Sequence, residues 1–157
     1  MKKVLLITNI PNPYRVPLFN ELSKQLKNEN IHLKIIFANK TYKRRLFQLN
    51  ENEFQFDYSF LDNEAITIGN NTENSYFTYK GLSQQLKKEK PDAIIVSGFS
   101  SATVKVFLYS LLNRTPYIIW NGSIAKKGRK DSLVRTMQRK LLTRFASAFV
   151  AYGTKAK

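Results

Sequence analysis

The opening of the chain constrains its fold most, because a short run of branched apolar residues ends abruptly in a proline-broken loop. Val4, Leu5, Leu6 and Ile7 have the character of a strand buried on both faces of a parallel sheet, with Lys2 and Lys3 left outside it. Pro11 and Pro13 lack amide donors and push Ile10 and Asn12 toward extended conformations, so Thr8 to Pro13 make a stiff loop. Leu18, Phe19, Leu22 and Leu26 then recur at helical spacing, and Pro17 is tolerable only in a first turn. The result is a β–α unit whose loop lies at the carboxyl end of a strand, the place where open α/β sheets bind ligands.

The same alternation continues. Ile31 to Ala38 return as a second strand, and Asn39 to Asn50 read as a loop carrying Lys40, Lys43, Arg44 and Arg45. Phe54, Phe56, Tyr58 and Phe60 alternate with polar residues, which predicts a strand with one aromatic face at the sheet edge. Glu64 to Asn74 read as a loop around Gly69, and the spacing of Tyr76, Tyr79, Leu82 and Leu86 predicts a helix from about Ser75 to Glu89. PDAIIVSG is a strand, capped by Ser100 or Ser101 into a helix so apolar around its circumference that burial is expected. YIIWNG follows as a strand. Asp131 or Ser132 then caps a helix whose Leu133, Met137 and Leu141 stripe is expected to pack inward, and Ala148 to Ala151 form a last strand. Strands alternating with helices predict an α/β fold, a Rossmann-like doubly wound parallel sheet with helices on both faces.

A chain of 157 residues, 43% hydrophobic, supports one core and one domain. The absence of cysteine excludes disulfides and thiolate metal sites. His32, the sole histidine, alternates with strand residues and is expected to be structural or exposed. No apolar run approaches the roughly 18 residues of a membrane span. The net charge of +15 is one-sided: from Ala93 onward twelve Lys and Arg stand against Asp131 alone, a net of +11, leaving +4 for residues 1 to 92. Such an excess points to anionic lipid, nucleic acid or a phosphorylated ligand. Lys126, Lys127, Arg129 and Lys130 are the residues expected to face a membrane.

A dinucleotide fingerprint or P-loop needs glycines at fixed spacing, and the six glycines at 69, 81, 98, 122, 128 and 153 match neither. No carboxylate pair suggests acid/base chemistry. What remains is three polar loops at strand ends, Asn9 to Arg15, Ser97 to Ser101 and Asn121 to Ala125, which a parallel sheet brings to one rim. Tyr14, Arg15, Ser100, Asn121 and Ser123 are the candidate substrate-binding residues on that rim.

The segments NIPNPYRVPLFNEL, VSGFSSATVKVFLYSLLNRTPYIIWNGS and RKLLTRFASAFVAYGTKAK resemble the amino-terminal domain of family 4 glycosyltransferases of the GT-B architecture, particularly bacterial enzymes of polysaccharide and glycolipid assembly. The resemblance covers nearly the whole chain and is most specific in the PYRVPLF opening and in the order of segments leading to AYGTKAK. It implies that residues 1–157 are one GT-B half, the acceptor-side domain, ending before a donor-binding domain that would carry the paired glutamates and donor-phosphate contacts. The implied reaction is retaining and independent of metal and cofactor, moving a sugar from a nucleoside-diphosphate sugar to a polysaccharide or lipid-linked acceptor. The fragment alone is expected to be inactive. Many relatives have a glycine-rich loop where Pro11 to Tyr14 stand and a histidine where Trp120 and Asn121 stand, so no catalytic residue is carried over. The expected location is cytoplasmic, peripheral on the inner face of the cell membrane. Two other readings are a noncatalytic nucleotide- or sugar-binding module and a basic nucleic-acid-binding protein. Against the latter, the aromatics of FQFDYSF are interleaved with an acid rather than with Lys or Arg.

Overall fold

The protein is described by a computed structural model over residues 1–40, 49–61, 65–67, 75–122 and 132–151. The chain runs β1 (Lys2–Thr8), α1 (Val16–Asn28), β2 (Ile31–Phe37), β3 (Asp57–Phe60), β4 (Ala65–Thr67), β5 (Ser75–Phe77), α2 (Leu82–Glu89), β6 (Ala93–Ser97), α3 (Ser101–Asn113), β7 (Tyr117–Asn121), α4 (Leu133–Phe145) and β8 (Ala148–Ala151). Six strands form one sheet in the order β3-β2-β1-β6-β7-β8. Every neighbouring pair in it is parallel. The chain therefore winds outward from β1 to β3, crosses back past β1, and winds outward again from β6 to β8. Between β1 and β6 the direction reverses, and the loops leaving those two strands part from one another there.

The alternation of side chains along the strands divides the core in two. Leu6, Leu33, Ile35 and Phe37 face α1, where Val16 and Phe19 meet them together with Phe56. Leu5, Ile7, Ile36, Ile94, Val96 and Ile119 face the opposite side, covered by Leu82 and Leu86 of α2, Ala102 and Val106 of α3, and Leu142 of α4. Helices thus cover both faces. Phe19 is fully enclosed, its ring 6.2 Å from Phe37, 5.8 Å from Phe56 and 6.1 Å from Trp120. Removing such a ring from water stabilises the fold by about 2–3 kcal/mol.

The aromatic run lies at the sheet edge as its alternation predicts, although the paired strand begins only at Asp57. Residues 51–53 form a short 3-10 turn capped by Asn50, and Phe54 stacks on Phe56 at 5.0 Å just ahead of the strand. His32 is a strand residue whose Nε2 lies 3.5 Å from Asp57 on neighbouring β3. Its side chain is about one third exposed there.

Four expectations are corrected. The helix expected from Ser75 begins only at Leu82, because Gly81 sits at φ +79°, in the left-handed region that a helix cannot run through. The residues before it form β5, which pairs antiparallel with β4 in the segment read as a loop, Ala65 opposite Phe77 and Thr67 opposite Ser75. The α3 helix is covered on one side only: Ala102, Thr103 and Val106 are fully buried while Leu108, Leu111 and Leu112 are exposed.

The fourth correction concerns α4. Its Leu133, Met137 and Leu141 stripe faces outward, with Leu133 82% and Met137 71% exposed, and only Leu142 enters the core. At about 100° per residue, Leu142 lies on the far side of the helix from Leu133 and Met137, so burying one excludes burying the others. Tyr117 decides the orientation by donating its hydroxyl hydrogen bond to the Leu142 carbonyl.

Candidate functional site

The loop leaving β1 is held by its own side chains. Asn9 Oδ1 accepts from the Ile10 amide at 2.9 Å and from the Thr8 hydroxyl at 3.3 Å, while the Asn9 carbonyl accepts from the Asn39 amide at 3.0 Å. Asn12 and Pro13 lead into a 3-10 turn, Pro13–Arg15, that runs directly into α1. This geometry offers no glycine-lined cradle of amides for a phosphate at the first β–α turn.

The loop leaving β6 is clamped more tightly. Gly98 adopts φ +70°, and its amide donates to the Trp120 carbonyl at 2.9 Å. Ser100 caps α3 by accepting from the Ala102 amide at 3.2 Å. Thr103, fully buried, completes the clamp: its hydroxyl accepts from the Ser100 amide at 3.2 Å and donates to the Gly98 carbonyl at 2.7 Å. The cap satisfies helix-terminal donors and at the same time fixes the loop beside the sheet.

Between these two loops and the strand-to-helix connection after β5 lies a cleft of about 450 Å³, lined by Asn9, Phe77, Tyr79, Ser97, Phe99, Ser100 and their neighbours. Burial pushes the Tyr79 phenol up to about 12, and a hydrogen bond with the Ser100 side chain opposes that rise. The phenol is therefore a neutral hydrogen-bonding group at ordinary pH. The Tyr79 carbonyl accepts from Lys105 Nζ at 2.6 Å, which ties the connection to α3. Among the described residues the lining holds hydroxyls, an amide and aromatic rings, and no charged side chain. That chemistry suits a neutral, polyhydroxylated ligand, with rings for the apolar faces and hydroxyls for the hydrogen bonds.

Of the residues proposed from the sequence, Ser100 lines this cleft. Arg15 lies at the same end of the sheet but on the α1 side, its guanidinium 5.3 Å from the Trp120 ring centre and 5.5 Å from that of Tyr14, with Nη1 donating to the Thr8 hydroxyl at 3.4 Å. Tyr14 is largely exposed, and Asn121 ends β7 beside Ala151. Tyr14, Arg15, Ser100 and Asn121 thus share one end of the sheet, divided between two sides of β1. Ser123, Lys126, Lys127, Arg129 and Lys130 lie outside the described residues.

Sequence reasoning missed Asn9, Tyr79 and Thr103 as individual site residues. Thr103 had a readable signal, because a hydroxyl three residues after the Ser100 cap can reach back to the cap amide. Tyr79 had none, since its helical spacing with Leu82 and Leu86 pointed to a core helix position. Among the described residues no cluster of His, Asp and Glu is arranged to hold a metal ion, and no helix is long and apolar enough to cross a membrane.

No family model matches the sequence, and no curated protein matches it. Solved structures do match. MurG from Acinetobacter baumannii aligns with a TM-score of 0.59 at 14% identity, over 100% of this chain and 43% of that one. MnaA of S. aureus in complex with UDP aligns at 0.56 and 18% identity, over 96% and 38%. UDP-GlcNAc 2-epimerase from Neisseria meningitidis bound to UDP-GlcNAc aligns at 0.57 and 20% identity, over 95% and 39%. The fold is that of one GT-B half. The chain spans about two fifths of the length of these structures. In this GT-B half the cleft occupies the switch point of the sheet, between the loops that leave β1 and β6.

Proposed function

We propose that this chain is the acceptor-binding half of a retaining glycosyltransferase, which moves a sugar from a nucleoside-diphosphate sugar to a hydroxyl of a polysaccharide or lipid-linked acceptor. The observation that carries the reading is the neutral cleft at the switch point, lined by Asn9, Tyr79, Ser97, Ser100 and the rings of Phe77 and Phe99. Among the described residues the lining of this cleft carries no cation for the phosphates of a nucleoside diphosphate, whereas it has the hydroxyl partners and aromatic walls that suit a sugar. The nucleotide then belongs to a second domain. The rim residues Tyr14, Arg15 and Asn121 border the acceptor where it meets the donor. The protein acts in the cytoplasm, against the inner face of the membrane.

Titration of isotope-labelled protein with methyl glycosides, short oligosaccharides and UDP tests this. Glycosides should shift the amide resonances of Ser97 to Ser101 and of Tyr79, UDP should not saturate the same site, and the chain alone should turn over no nucleotide sugar. Saturable UDP binding in the cleft with no response to any glycoside would overturn the acceptor reading.

A further inference from the structure

We infer that a basic groove on α4 takes the phosphate of a sugar phosphate whose sugar lies in the neutral cleft. The inference rests on the acceptor reading for the sugar and on α4 for the anion, so each part has its own readout.

The groove has a volume of about 470 Å³ and is lined by Thr136, Arg139, Lys140, Thr143 and Arg144. These positions follow one another at three- and four-residue steps, so they share one face of the helix. Three of the five are cations. Among the described residues no ion pair engages Lys140 or Arg144, and neither α3 nor α4 contains an acid. Thr136, half-buried, adds a hydroxyl, while Thr143 donates its own to the Arg139 carbonyl at 2.8 Å.

Arg139 distinguishes this face from a solvated row of charges. It is half-buried, its guanidinium lies 5.6 Å from the Phe99 ring centre, and Phe99 in turn stacks on Phe149 of β8 at 6.4 Å. A cation–π contact holds the planar fork in place and leaves its charge intact, and such a fork matches the oxygens of a phosphate. Phe99 also lines the neutral cleft, so groove and cleft adjoin at this ring. The division of chemistry across it selects the ligand. On the cleft side hydroxyls, an amide and rings suit a polyol, and on the α4 side three cations suit an oxyanion. A molecule that satisfies both has a sugar joined directly to a phosphate, because Arg139 of the groove touches Phe99 of the cleft. That phosphate is either the link that holds a glycan on its carrier or a substituent of the glycan itself.

Amide resonances of the isotope-labelled 157-residue chain test the inference. The probes are the 1-phosphates and 6-phosphates of glucose and N-acetylglucosamine, the methyl glycosides of the same sugars, inorganic phosphate and UDP. At least one sugar phosphate should shift both Thr136 to Arg144 and Ser97 to Ser101. It should bind at least about tenfold more tightly than its methyl glycoside or inorganic phosphate, because one molecule then makes both sets of contacts. A preference for the 1-phosphate assigns the phosphate to the carrier link, and a preference for the 6-phosphate assigns it to a substituent. Lys140→Gln with Arg144→Gln alters two exposed positions, so it should fold as the parent does and lose this advantage while methyl glycoside binding persists. Arg139→Lys keeps the charge without the fork and should weaken sugar phosphate binding several-fold. Lys87→Gln with Lys88→Gln, exposed on α2, removes the same charge elsewhere and should bind as the parent does. Sugar phosphates that bind no more tightly than methyl glycosides, no shift on α4, or equal weakening by the α2 pair would overturn the inference and leave the acceptor reading standing. UDP saturating cleft and groove together, with no response to any glycoside, would overturn both.

Discussion

Replacing Thr103 discriminates between two ways of regarding a fully buried residue at the head of α3. A packing view treats Thr103→Val as nearly neutral, since shape is kept and a polar atom removed, and Thr103→Ser as harmful, since a methyl group is lost. The clamp reverses the order. Valine removes the donor to the Gly98 carbonyl at 2.7 Å and the acceptor for the Ser100 amide at 3.2 Å, while serine retains both. Each hydrogen bond contributes about 1 kcal/mol net, and a group left buried without its partner costs about 1–3 kcal/mol. Thr103→Val should therefore destabilise by about 2–4 kcal/mol, and Thr103→Ser by about 1 kcal/mol for the lost methyl. Urea unfolding gives both values from the shift in midpoint, and amide exchange at Ser100 should accelerate in the valine variant alone. A valine variant within about 0.5 kcal/mol of the parent, or less damaging than serine, would refute the clamp.

Three further outcomes follow from the geometry. Burial raises the pKa of Glu89, but hydrogen bonds from Lys3 and Lys34, both at 3.0 Å, outweigh it and hold the carboxyl below its ordinary value. Its contribution to stability is thus complete above the unfolded value of 4.5 and lost as pH falls through the lower folded one; Glu89→Gln should cost about 1–3 kcal/mol at neutral pH and converge with the parent in acid denaturation curves. Leu142→Ala removes the α4 side chain that enters the core and should cost about 2–4 kcal/mol, with exchange of α4 amides rising before that of β1 or β6. Gly98→Ala meets no atom within 4 Å, so its cost should be the backbone term alone, about 1–2 kcal/mol in thermal unfolding.

The strands of the main sheet were legible because burial on both faces demands continuous branched apolar runs, as in VLLI, IIF and AIIV, whatever partners they meet. Their alternation with helical segments was enough for the doubly wound class, and the polar loops at strand ends were enough to place Tyr14, Arg15, Ser100 and Asn121 at one end of the sheet, though not to show that they divide between two sides of β1. The β4–β5 hairpin was not legible, since three-residue strands have too few positions to show a period and exist only through their pairing with each other. Tyr79 entered the cleft for the same nonlocal reason: Gly81 broke the expected helix, and the hairpin brought the connection after β5 beside the β6 loop.

What the sequence by itself determined was the order of the main-sheet strands and the helices between them, and the existence of an apolar stripe on α4. Which side of that helix the core would cover was decided only in three dimensions. A periodic pattern records that one face differs from another, but burial is settled by what stands opposite, and here Tyr117 and the β6–β7 surface accept Leu142 and leave Leu133, Met137 and Leu141 to another environment.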